Sequence, residues 1–122
     1  MILAFAVGLA GGLGSIARYL VDGAVADRTS GVFPFGTLTV NLVGSFALGV
    51  ITGLVVYHGV TPRLRIVAGT GGCGGLTTWS TFSWETVSLV EDGHLGPAVA
   101  NALGGLAASV AAGAIGFALA SW

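Results

Sequence analysis

The sequence predicts an all-α membrane protein of four transmembrane helices, and three observations carry that prediction. Hydrophobic residues make up 54% of the chain and charged residues only 7%, against about 25% charged in an ordinary soluble domain. Apolar stretches recur at the length needed to cross hydrocarbon, about 20 residues. Glycine, 22 residues in all, runs through those stretches. In water so much glycine would suggest disorder, but in an apolar chain it suggests close helix packing in lipid.

The few charges exclude several function classes. There is no lysine; the basic residues are Arg18, Arg28, Arg63 and Arg65, the acids Asp22, Asp27, Glu85, Glu91 and Asp92, and the net charge is −1. That leaves no basic face for nucleic acid and no acidic tail. The lone Cys73 excludes an intrachain disulfide and a multi-cysteine metal site. His58 and His94 lack metal-ligand spacing. No nucleophile-base pair, paired carboxylates or phosphate-binding glycine loop is present, so no enzyme is expected. The start of the chain is apolar from Ile2 without a basic leader, which predicts a retained helix and no cleaved signal peptide.

The spans form one four-helix transmembrane domain over residues 1–122. The first is expected at 2–21, closing on Arg18, Tyr19 and Asp22 at an interface. A polar, turn-rich loop covers Asp22 to Gly36. The second span is expected at 37–57, with Asn41 inside it, followed by a tight loop from His58 to Leu64. The third is expected at 65–90. After Glu91 to Gly96 the fourth runs over 97–121, with Pro97 suited to a first helical turn.

Four spans put both termini on one side. Arg63 and Arg65 then share that side, and Arg18 and Arg28 the other. Orientation follows the excess of Lys and Arg in the flanks, and here neither side has one. A chain that can insert both ways meets the condition for an antiparallel dimer. Small residues, which let helices approach in lipid, recur at four-residue spacing. Gly104, Ala108, Ala112, Gly116 and Ala120 form one stripe on the fourth span, with Gly105, Ser109 and Gly113 beside it. Asn41, Ser45, Gly49 and Gly53 line the second span, and Gly8 and Gly12 mark the first. Packing within one subunit and packing between two subunits both fit these stripes.

The third span is the specific part. Its middle, Gly69-Thr70-Gly71-Gly72-Cys73-Gly74-Gly75, is followed by Leu76-Thr77-Thr78-Trp79-Ser80-Thr81-Phe82-Ser83. Glycine costs up to about 1 kcal/mol per position inside a helix, so the run predicts a helix broken mid-membrane. Unwound backbone at that depth must meet protein, water or an ion. Broken helices commonly place carbonyls around a cation and aim N–H groups at anions; a packing kink is the simpler alternative. Past the break, Thr78, Phe82 and Glu85 are expected on one helical face with Trp79 beside it. Ser80, Thr81 and Ser83 add hydroxyls. Aromatic edges carry partial positive charge, so hydroxyls beside rings suit a small anion, although a Ser or Thr in a helix can also bond its own backbone. Asn41 can donate to an anion or bond the broken segment. Glu85 reads as a snorkelling rim acid or a vestibule proton site. Arg18 can draw anions to a vestibule, but pairing with Asp22 one turn on is the simpler expectation.

Three segments together resemble the Fluc (CrcB) family of fluoride channels. They are Gly11-Gly12-Leu13-Gly14-Ser15-Ile16-Ala17-Arg18-Tyr19, then Gly36-Thr37-Leu38-Thr39-Val40-Asn41-Leu42-Val43-Gly44-Ser45-Phe46, then Gly71-Gly72-Cys73-Gly74-Gly75-Leu76-Thr77-Thr78-Trp79-Ser80-Thr81-Phe82. The fourth span matches only in character. The resemblance implies an antiparallel, dual-topology homodimer in the cell membrane, with two fluoride pores and a central structural sodium ion. It implies passive, selective fluoride export that limits fluoride toxicity in a microbe. By position, Gly74 and Thr77 would give sodium their carbonyls. Asn41, Phe82, Ser80, Thr81 and Ser109 would line the fluoride path. One residue departs from the family pattern: Trp79 stands where the first pore phenylalanine is usual, larger but with an added indole N–H. The rival from another class is a small multidrug-resistance-type, proton-coupled exporter, also a dual-topology four-helix dimer. It needs a mid-membrane acid, and the expected first span has none. An assembly subunit that only packs against a partner would leave the threonine-serine-aromatic run unexplained.

Overall fold

Arg28 marks the end of the first helix. Its Nη1 donates to the Ala24 carbonyl at 2.6 Å, supplying a cationic donor to a helix terminus whose carbonyls lack main-chain partners. Helix α1 accordingly covers Ile2–Ala26 and continues past the expected stop at residue 21, because nothing between Asp22 and Ala26 breaks the hydrogen-bond ladder. The computed structural model describes all 122 residues and contains helices and no strand. Helix α2 covers Phe35–His58 and stops at Gly59, whose φ of 64° is a left-handed conformation that glycine adopts without a Cβ clash.

Thr61 opens the third helical stretch, accepting from the Arg63 N–H with Pro62 at the first position. This stretch, α3, is contiguous through Pro62–Leu64, Arg65–Cys73 and Gly74–Leu76. Its middle piece is wound in wide, π-type turns, with the Gly74 N–H reaching the Gly69 carbonyl. Helix α4 is Ser80–Glu91, ended beyond Asp92 by Gly93 at φ 79°. Helix α5 is Leu95–Leu119, with another wide turn over Ala100–Gly105. Three helices, α1, α2 and α5, are long and apolar enough to cross a membrane; α3 and α4 are shorter.

The glycine run does not unwind, which corrects the expectation for residues 69–75. It stays helical, and the ladder fails only after Leu76, where Thr77 turns extended at φ −77°, ψ 159°. The reason lies in packing. A methyl at Gly14 would collide with the Gly72 carbonyl and lie 2.9 Å from the Leu76 nitrogen, and one at Gly75 would collide with the Gly11 carbonyl. At Gly71 it would lie 2.8 Å from the Val7 carbonyl. The glycines let the backbones of α1 and α3 touch, as small residues do between helices in lipid.

The same device joins α2 to α5. Methyls at Gly49 and Gly116 would collide with the carbonyls of Gly113 and Phe46, and one at Gly53 would lie 2.6 Å from the Ala120 Cβ. His58 ties the two helix ends together, its Nε2 standing 2.8 Å from the Ala120 carbonyl. Most of the α2 and α5 stripes are thus used inside the subunit. Gly8, Gly12 and Gly104 have nothing within 4 Å of a Cβ position, so those members of the stripes have no neighbour within the chain.

Candidate functional site

Asn41 holds the non-helical residues between α3 and α4. Its Oδ1 accepts from the Thr78 N–H at 2.7 Å, and its Nδ2 donates to the Thr78 carbonyl at 3.0 Å. Both main-chain groups of Thr78 are thereby satisfied by one carboxamide. This removes the unpaired-group cost of leaving the ladder, about 1–3 kcal/mol for each buried group. Thr78 precedes α4 instead of sharing a helical face with Phe82 and Glu85, which corrects that expectation. Its hydroxyl accepts from the Thr81 N–H at 3.2 Å and donates to the Thr81 Oγ1 at 3.0 Å, and it lies 3.4 Å from the Ser80 Oγ. Thr78 thus caps the first turn of α4, a common use of threonine at a helix start.

Beside this clamp is a half-open groove of about 230 Å³, lined by Asn41, Ser45, Trp79, Phe82, Asn101 and Ser109 among others. Four of the expected pore residues therefore meet in one place: Asn41, Trp79, Phe82 and Ser109. Ser80 and Thr81 do not line it; their hydroxyls gather on Thr78. The Trp79 and Phe82 rings lie 5.2 Å apart, tilted by 37°, and Trp79 is 69% exposed. Cys73 lines the wall, buried. No lining residue carries a formal charge, and no cluster of three metal-ligating side chains exists anywhere in the chain. The donors on offer are the second Asn41 N–H, the indole N–H of Trp79 and the hydroxyls of Ser45 and Ser109, beside ring edges that carry partial positive charge.

Gly74 and Thr77 differ in what their carbonyls face. The Thr78 N–H goes to Asn41, so the Gly74 carbonyl loses the donor four residues on and takes no other main-chain bond. An open carbonyl of that kind fits a cation ligand. The Thr77 carbonyl instead accepts from Arg18 Nη1 at 3.2 Å. This corrects the expected Arg18–Asp22 pair: Arg18 reaches across to the interruption, and Asp22 lies against Gly36 at the start of α2. Glu85 is not a snorkelling acid. Its Oε1 accepts from the buried Thr37 hydroxyl at 2.9 Å, and its Oε2 is enclosed without a partner. It still lines a depression near the loops, with Val32, Pro34, Asp92 and His94.

Asn101 is the residue the sequence reading missed. It is 1% exposed, and its Nδ2 donates to the Thr86 Oγ1 at 2.9 Å. The signal was present: Asn101 is the second of only two carboxamides in the chain and stands inside an apolar span. Polar side chains in such spans face the bundle interior or a cavity.

Three helices long and apolar enough to cross a membrane, with an uncharged groove between them, define a multi-pass membrane protein. Residues 5–117 match the family described as CrcB-like protein, Camphor Resistance (CrcB), and the chain belongs to that family. It is 39% identical to fluoride-specific ion channel FluC 1 of Leifsonia xyli subsp. xyli, covering 94% of this chain and 84% of the relative. It is 43% identical to FluC 1 of Streptomyces avermitilis over 90% of both chains. Against FluC of Pyrococcus horikoshii the identity is 47%, over 76% of this chain and 75% of that one.

Proposed function

We propose that this chain is a fluoride-selective channel of the cell membrane, carrying fluoride passively outward and so limiting its toxicity. The observation that carries the reading is the groove, where Asn41, Ser109, Trp79 and Phe82 converge without a formal charge. A small anion that leaves water needs close donors in return. Neutral N–H and O–H groups with aromatic edges provide them without holding the anion so firmly that it cannot leave, the balance conduction requires. The likeness to proteins named as fluoride-specific channels supports the same reading.

In this reading α3 and α4 are the two halves of one membrane-crossing helix, interrupted at Thr77 to Trp79. Two copies assemble antiparallel. The balanced arginines and the unpartnered Gly8, Gly12 and Gly104 support that arrangement. A sodium ion at the centre takes the Gly74 and Thr77 carbonyls of both copies as ligands. The open Gly74 carbonyl supports the first ligand; at Thr77 the Arg18 guanidinium shares the oxygen. Ser80 and Thr81 act at one remove from the groove through Thr78.

Current through planar bilayers holding the purified protein tests the proposal. The reversal potential should follow the fluoride gradient and ignore an imposed pH gradient. A reversal potential that follows protons would mark a coupled exporter and defeat the channel reading.

A further inference from the structure

Asn101 carries a polar atom that the rest of the groove does not explain. Its Oδ1 is buried and has no hydrogen-bond partner, although a buried acceptor without a donor is costly. The other end of the carboxamide is fully engaged. Nδ2 donates to Thr86 Oγ1 at 2.9 Å, and the Thr86 hydroxyl donates to the Phe82 carbonyl at 2.7 Å. The orphan oxygen faces the bare side of Gly105. A Cβ at Gly105 would lie 3.5 Å from Asn101 Oδ1, 3.5 Å from Phe82 Cε2 and 3.8 Å from Leu38 Cδ1. Gly105 thus leaves a niche one small atom wide between a carboxamide and an aromatic edge, at the wall of the groove.

We propose that the Asn101 carboxamide is a rotor that turns over to present its N–H to an anion in this niche. The inference rests on the channel reading above and adds an anion-binding residue to it. As it stands, the end of the amide facing the niche is an acceptor, which repels an anion. A half-turn about the last side-chain bond exchanges Oδ1 and Nδ2 with almost no change of shape, so the packed surroundings need not move. Oδ1 then lies where Nδ2 was, within reach of Thr86 Oγ1. The Thr86 hydroxyl proton swings from the Phe82 carbonyl to Asn101 Oδ1. The Phe82 carbonyl keeps the ordinary main-chain bond of its helix. The orphan acceptor is satisfied, and an N–H points at the niche opposite the Phe82 ring edge. An anion therefore sees, opposite the ring edge, a donor that the unliganded groove does not display. The niche has room for one small anion between the amide N–H and the ring edge.

The test is nuclear magnetic resonance of wild-type protein in lipid nanodiscs, with asparagine as the labelled residue. The chain has no glutamine and two asparagines, so Asn41 and Asn101 give the only two side-chain NH₂ signals. The signal that moves on Thr86→Val belongs to Asn101. Titration with sodium fluoride should shift the Asn101 signal with saturation. Gly105→Ala fills the niche with ordinary contacts and should fold, yet should lose the fluoride response and at least tenfold of the fluoride flux. Asn101→Asp, which has the same shape without the donor, should lose flux to the same degree. A wild-type Asn101 signal that does not move at fluoride concentrations saturating flux overturns the rotor and leaves the channel reading intact. If wild type carries no fluoride flux, the channel reading fails, and the titration still decides whether the amide binds the anion.

Discussion

Asn41 and Thr78 are joined by two hydrogen bonds, at 2.7 and 3.0 Å, that use both polar atoms of the side chain and both main-chain groups of its partner. A residue on α2 therefore decides where α3 stops.

Asn41→Leu should leave two main-chain groups unpaired and lower stability by about 2–6 kcal/mol, at about 1–3 kcal/mol per buried group. Asn41→Asp keeps the acceptor for the Thr78 N–H but cannot donate to the carbonyl, so it should fall between. Thermal unfolding in detergent, followed by circular dichroism, ranks the three. Equal stability of Asn41→Leu and wild type would show that the clamp does not hold the interruption.

The glycine contacts divide in two by what stands opposite. Gly75→Ala drives a methyl into the Gly11 backbone, and overpacking of this kind costs about 1–3 kcal/mol. Gly12→Ala meets nothing within 4 Å inside the subunit, so it should spare subunit stability or raise it by up to about 1 kcal/mol. If Gly12 faces a second copy, the same change should weaken the dimer. Size-exclusion chromatography with in-line light scattering separates the two effects.

Those contacts also show how far the sequence was legible. The all-helical fold and the three long apolar helices were readable from length and composition, since lipid allows few alternatives to a helix. Asn41, Trp79 and Phe82 were readable because their chemistry is unusual inside an apolar chain, whereas Ser109 was assigned only through the family resemblance. The position of the interruption was not readable. Glycine at residues 69–75 signals both unwinding and close approach, and only the backbone of α1 opposite shows that approach is its use. Arg18 was misassigned for a related reason. Asp22 is its neighbour in sequence, but the Thr77 carbonyl, 59 residues away, is its partner in space. Glu85 looked like a rim acid by its distance from the break, and the buried Thr37 that turns it inward lies on another helix.

Sodium should stabilise the assembled protein. A ligand that binds only the folded form adds about 2.7 kcal/mol at a hundredfold excess over its Kd. The unfolding temperature should therefore rise with sodium concentration and stay flat with choline. Gly74→Leu should abolish the sodium dependence, since its side chain crowds the carbonyl that lacks a main-chain donor. A sodium response unchanged in that variant would remove Gly74 from the cation site.

The aromatic pair separates packing from anion contact. If Phe82 only packs against Trp79, 5.2 Å away, Phe82→Ile should cost less than about 1.5 kcal/mol and leave transport near wild type. If its edge faces the anion, the folded variant should lose most of its flux. Trp79→Phe keeps an aromatic edge and should retain transport, while Trp79→Ala should impair it. Flux normalised to folded protein gives the comparison.

The most direct measurement is anion release from liposomes that contain the wild-type protein, with fluoride inside and an ion-selective electrode outside. Once a potassium ionophore dissipates the membrane potential, fluoride should leave rapidly and without any need for a proton gradient. Chloride loaded in the same way should stay inside. Fluoride retained as it is in protein-free liposomes, or chloride released as fast as fluoride, would contradict a fluoride-selective channel.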